Sequence, residues 1–186
     1  MGFALAEAFA KQGAQVTLVA GPVALATPDR VHERIDVETA VEMNEAVQSR
    51  WHGMDWGVAC AAVSDFRPAL TSEEKWHRGE VPQAVTLVEN PDILAGMGQR
   101  KSESQRLVGF ALETDDGHES AKKKLERKNL DAIVLNSLRD DGAGFGHDTN
   151  KVTVLTRGGK SVSFELKSKY EVALDLVELW RTTLTP

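Results

Sequence analysis

Apolar and polar positions along this chain follow two periods in turn, and the switching between them predicts its elements. Residues 2–13 place Phe3, Ala6 and Ala10 on one side of a helix that Gly13 is placed to end, and residues 15–20 (QVTLVA) read as a strand. A second strand is predicted over 31–37, followed by a capping box, Thr39 with Glu42, for a helix carrying Ala40, Met43, Val47 and Trp51 on one face. Continuous apolar runs at 57–62 and 107–112, with shorter ones at 86–88 and 132–135, predict buried strands. Between them, Asn90 and Pro91 read as the N-cap and first residue of a helix running to about Arg100, and residues 117–128 are helical. Residues 64–82 carry no long periodic run. Strand and helix thus alternate through residue 135, which predicts an α/β fold with a mostly parallel sheet and helices on its faces. The tail differs. Residues 151–156 and 161–166 flank Gly158-Gly159, a two-residue hairpin signal, and Ser168 with Glu171 forms a second capping box. The helix it opens would pack through Val172, Leu176, Leu179 and Trp180, so the expectation is one domain over 1–186 with a small antiparallel appendage.

Composition narrows what such a domain binds. A net charge of -6, from 22 Lys and Arg against 28 Asp and Glu, argues against nucleic acid and membrane surfaces, so a polyanionic ligand needs a local basic cluster. The single Cys60 excludes a disulfide framework and favours a reducing, cytoplasmic setting. No apolar stretch approaches the roughly 20 residues that span a bilayer.

Candidate chemistry collects where strands end. The run GVACAAVSDFRP leaves a strand and turns abruptly polar at Ser64, Asp65 and Arg67, and in open α/β sheets ligands bind outside the carboxyl ends of strands. Asp65 also suits a turn cap, and Lys75, ten residues on in an unpatterned segment, also suits a solvated loop. Lys122, Lys123, Lys124, Arg127 and Lys128 form the strongest basic run. Glu119 is spaced to pair with Lys123 and Lys122 with Glu126, so Lys124 and Lys128 present a doubly cationic face that costs about 0.2–0.5 kcal/mol unless an anion lies between them. A solvated face near a helix C-terminus is the simpler reading. The helix start at Asn90 offers free N–H groups to an anion, or simply to Asp92 in its own first turn. The glycines at 142, 144 and 146 do not match a dinucleotide fingerprint, and the five histidines show no metal-ligand spacing.

Six blocks in register, ACAAVSDFRP, Lys75, ENPDIL, VGFALET, KKKLERKNLD and GFGHDTN, resemble those of bacterial phosphopantothenoylcysteine synthetase, the phosphopantothenate:cysteine ligase of coenzyme A biosynthesis. The resemblance extends to the opening MGFALAEAFAKQGAQVTLVAGPV and covers nearly the whole chain. It implies a Rossmann-like, dimerising ligase. CTP would activate 4'-phosphopantothenate as an acyl-cytidylate, and L-cysteine would then displace CMP. Carried over by position, nucleotide contacts fall on Ala59, Cys60, Ala61, Asp65, Lys75, Pro91, Asp92, Ile93, Leu94, Phe110, Lys124 and Lys128. Lys75 takes the catalytic role, Mg²⁺ is the cofactor, and Asp65 holds either the metal or ribose hydroxyls. The expected partners are a second copy of the chain and a flavin-dependent phosphopantothenoylcysteine decarboxylase.

Two departures stand out. The family's first strand and its Asn-x-Ser-Ser-Gly-Lys phosphate-binding segment precede the point where this sequence begins, which suggests a truncated chain or a separately supplied segment. It also predicts an unpaired edge beside residues 15–20. Where the family carries Lys-x-Lys-Lys, this chain reads Lys75-Trp76-His77-Arg78. The competing expectations are a non-catalytic nucleotide-binding or dimerisation fragment and an NAD(P)-dependent enzyme, the latter lacking its glycine signature.

Overall fold

Helix α1 (Gly2–Lys11) turns Leu5, Ala6, Ala8 and Ala10 inward, and Gly13 just past its end sits at φ 92°, a left-handed conformation that glycine adopts without a Cβ clash. The computed structural model describes residues 1–70, 84–113, 117–137 and 147–184. Strands β1 (Thr17–Ala20) and β2 (Glu33–Asp36) pair in parallel. The expected capping box opens α2 (Ala40–Arg50): Thr39 Oγ1 accepts from the Glu42 N–H at 3.1 Å, and the Glu42 carboxylate accepts from the Thr39 N–H at 3.4 Å. Trp51, expected in that helix, lies instead in a following 3-10 turn, Trp51–Gly53. It is buried there and donates its indole N–H to the Met97 carbonyl at 2.9 Å.

The main sheet has the order β3 (Trp56–Ala59), β6 (Arg106–Glu113), β7 (Ala132–Ser137), β8 (Thr149–Thr156) and β9 (Ser161–Ser168). The first three strands are parallel and the last two antiparallel, as the switch in pattern after residue 135 predicts. Along β6 and β7 neighbouring residues are buried on opposite faces, which is why these strands read as unbroken apolar runs. Val108 and Val134 join α1 and α5 (Lys169–Thr183) around Val172, Leu176 and Trp180. Leu107, Ile133 and Leu135 face Met97 of α3 (Ile93–Arg100) and Ala121 and Leu125 of α4 (Gly117–Arg127). Helices therefore cover both faces of a mostly parallel sheet.

Three local expectations are corrected. A short ribbon pairs β4 (Phe66–Pro68) antiparallel with β5 (Leu87–Glu89), so part of the segment without periodicity is extended after all; three-residue strands are too short to show a period. The β8–β9 hairpin closes with three residues, 157–159, rather than two. Thr156 and Lys160 bond across it and Gly159 takes φ 83°, the left-handed position of a turn with a bulge. Helix α3 starts one turn-residue pair later than expected, capped by Asp92, whose side chain accepts from the Ala95 N–H at 3.0 Å. Asn90 is not the cap because its amide is engaged elsewhere.

Candidate site at the strand ends

Strands β3 and β6 run side by side with Ala59 opposite Gly109, so β3 ends at Ala59 and Cys60 beside Phe110, the fifth of eight residues in β6. Cys60 and Phe110 pack against the α1/α5 side of the sheet, while Ile93 and Leu94 pack on the other. A Cβ on Gly109 would lie 2.9 Å from Leu94 Cδ2, so glycine at that position lets the first turn of α3 sit directly on β6. The two groups of expected contacts thus straddle one strand end. Burial pushes the Cys60 thiol above its ordinary value, which makes it a neutral wall at physiological pH.

Ala61 and Asp65 lie in the exposed loop after β3. That loop is tied to α3. The Asn90 N–H donates to the Asp65 carbonyl at 2.8 Å, and Asn90 Nδ2 donates to the Ser64 carbonyl at 2.9 Å. Two residues further on, Asp92 caps α3 and also meets the Lys128 ammonium at 2.9 Å. Desolvation works to raise the Asp92 carboxyl, but the hydrogen bonds from Lys128 and the Ala95 N–H outweigh it and hold the group below the usual carboxylate range. Asp65 and Lys128 are thereby linked through residues 90–92, the Asp65 carbonyl to Asn90 and the Asp92 carboxylate to Lys128. Lys128 itself lies just beyond α4 rather than in its last turn, and its charge is answered across the helix pair rather than along its own helix.

Backbone packing makes that reach available. A Cβ on Gly98 would overlap the Lys128 carbonyl oxygen, so the end of α4 rests directly on α3 while the lysine side chain extends back to the cap. Lys124 is half-buried one turn earlier, in a groove along α4 lined also by Glu119, Ser120, Lys123 and Arg127. The expected pair of Glu119 with Lys123 is present, at 3.8 Å and well exposed. Lys75, with the Trp76-His77-Arg78 departure, and the glycine-rich residues 142–146 lie outside the described residues.

Two contributors escape sequence reasoning. Gln48 of α2 donates to the Ile93 carbonyl at 2.9 Å and accepts from Arg100, pinning both ends of α3; residues 45 apart leave no local signal. Asn90 is recognisable as a capping type, but its partners Ser64, Asp65 and Arg67 lie 23 to 26 residues back. Among the described residues no group of three or more His, Cys, Asp or Glu gathers as a metal site, and no helix is long and apolar enough to cross a membrane.

Known proteins give this geometry a lineage. The chain is 42% identical over 178 residues to the coenzyme A biosynthesis bifunctional protein CoaBC of Bacillus subtilis (strain 168), covering 96% of this chain and 44% of that protein. It is 49% identical over 177 residues to a cysteine/cysteine sulfinic acid decarboxylase from an unknown prokaryotic organism, covering 95% of this chain and 49% of that one. The chain therefore spans about half the length of the curated relatives it matches. Among solved structures, the C-terminal domain of a CoaBC protein superposes with a TM-score of 0.80 and 38% identity, over 98% of this chain and 83% of that one. The expected Rossmann-like class and the resemblance to phosphopantothenoylcysteine synthetase are both borne out. With residues 1–183 matching its family profile, the chain belongs to the DNA/pantothenate metabolism flavoprotein C-terminal domain (DFP) family.

Proposed function

We propose that the protein is a CTP-dependent phosphopantothenate:cysteine ligase of coenzyme A biosynthesis. The observation that carries this reading is the continuous run from Asp65 through Asn90 and Asp92 to Lys128, at strand ends of a chain 42% identical to CoaBC. In the first step a carboxylate oxygen of 4'-phosphopantothenate attacks the α-phosphorus of CTP, the bond to the β-phosphate oxygen breaks, and pyrophosphate leaves. In the second, the amine of L-cysteine attacks the acyl carbon, CMP departs with its oxygen, and the amine loses a proton.

The roles follow from placement and charge. Backbone groups of Ala59, Cys60 and Ala61, with Phe110 beside them and Pro91, Ile93 and Leu94 opposite, would receive the base; Asp65 at the exposed rim would take ribose hydroxyls or metal. Lys124 and Lys128 would meet the phosphates, where fixed cations stabilise charge that grows on the oxygens. A triphosphate must compete with Asp92 for Lys128, because that carboxylate is the lysine's partner in this structure. Lys75 is the catalytic candidate, whose ammonium would stabilise the charge that builds as the α-phosphorus is attacked. Asp65, exposed at the rim, would be the carboxylate to help hold Mg²⁺, and the ion would supply charge neutralisation. A cytoplasmic homodimer working with a flavin-dependent decarboxylase completes the proposal.

Pyrophosphate release from CTP and 4'-phosphopantothenate tests it, assayed for the 186-residue chain and for the chain preceded by a first strand and an Asn-x-Ser-Ser-Gly-Lys segment. Release by the extended chain, lost in Lys75→Ala with CTP binding retained, is the expected result. CTP binding without release in either form supports a non-catalytic nucleotide-binding module, and absence of CTP binding defeats the proposal. The decarboxylase name of one relative supports a second reading, for which CTP-independent release of carbon dioxide from cysteine is the deciding assay.

A further inference from the structure

Arg67 and Asn90 hold the strand-end loop in place without being nucleotide contacts in the reading above. The loop over 61–65 is exposed throughout, so apolar burial does little to order it. Its attachment is polar. Asn90 grips two successive peptide groups, with Nδ2 on the Ser64 carbonyl at 2.9 Å and its own N–H on the Asp65 carbonyl at 2.8 Å. Arg67 Nη1 donates to Asn90 Oδ1 at 3.0 Å and to the Glu89 carbonyl at 2.6 Å. With its oxygen held by the guanidinium, the Asn90 amide can present only its NH₂ group to Ser64. Ser64 Oγ completes the turn by donating to the Phe66 carbonyl at 2.9 Å. Both latch residues are half-buried, while Ser64, Asp65 and Phe66 are exposed.

We propose that Arg67 and Asn90 are positioning residues, a latch that keeps the loop bearing Ala61 and Asp65 in register with the first turn of α3. The inference rests on the nucleotide-site reading. Its logic is geometric. Residues 59–65 and 91–94 come from separate elements, and a ligand held by both is bound well only if their spacing is set before it arrives.

The test uses Arg67→Gln, Asn90→Ala, the double variant and Arg67→Lys, with amide exchange at residue 90, CTP affinity by calorimetry, and melting temperature. Faster exchange at residue 90 and about tenfold weaker CTP binding in each single variant, at unchanged melting temperature, is expected. The double variant should be no weaker than the worse single, and Arg67→Lys should recover part of the loss. Released exchange with wild-type CTP affinity overturns the latch, as does full additivity of the two losses. Should a single variant melt early, Asn90→Asp serves in its place, since it keeps the acceptor for Arg67 but loses the donor to Ser64. A wild-type chain that fails to bind CTP overturns the nucleotide reading instead, and unchanged exchange at residue 90 in Arg67→Gln then overturns the latch on its own.

Discussion

Asp92 concentrates two jobs in one carboxylate, a helix cap and the counter-charge of Lys128, and the two separate by substitution. Asp92→Ala removes both and should lower stability by about 1 kcal/mol from the cap alone, measured by urea denaturation at neutral pH. Asp92→Asn keeps a capping oxygen and should cost less. Because the folded carboxyl is held below its unfolded value, the stability it adds is present above the unfolded pKa of about 3.9 and is lost as pH falls through the lower folded value. Denaturation midpoints of Asp92→Asn should therefore fall less steeply on the acid side than those of the wild type. Cys60 shifts the opposite way. Burial raises its thiol, so thiolate is scarce at neutral pH, and iodoacetamide should label it more slowly in the native chain than in urea. Comparable rates would mean the strand end is open.

At the scale of elements, α3 is the piece on which the site depends, and close backbone packing places it. Gly98→Ala sets a Cβ against the Lys128 carbonyl, which is backbone and cannot rotate away. A loss of about 1–3 kcal/mol is expected, with weaker CTP binding as α4 is pushed from the α3 cap. Lys124→Ala combined with Lys128→Ala should weaken CTP affinity and flatten its salt dependence, and unchanged affinity would return those residues to a stabilising, solvated role. Elements whose signals are local were legible. Both capping boxes, Thr39 with Glu42 and Ser168 with Glu171, form as spaced, because each is complete within four residues. The start of α3 was misplaced because Asn90 and Asp92 are equally good caps in isolation. What decides between them is Ser64 and Arg67, brought in by the β4–β5 pairing that three-residue strands do not announce.

Over the whole molecule the layered α/β plan was readable because both faces of β6 and β7 are buried, leaving apolar runs that only a covered parallel sheet explains. How the strands divide was less so. Among the described residues β1 pairs only with β2, and β3 only with β6, so each has one edge without a ladder partner. On the family resemblance a further strand is expected beside β1. Such a strand would satisfy rows of N–H and C=O groups that otherwise invite association. Exchange measured by mass spectrometry on peptides covering Thr17–Ala20 and Trp56–Ala59 compares the chain alone with the chain carrying that segment. Slower exchange in β1 and β3 on extension is expected, with β7 unchanged because β6 and β8 already flank it. If β3 slows and β1 does not, the added strand completes only the β3–β6 half of the sheet, and β1–β2 must be held by α1 and α2 alone.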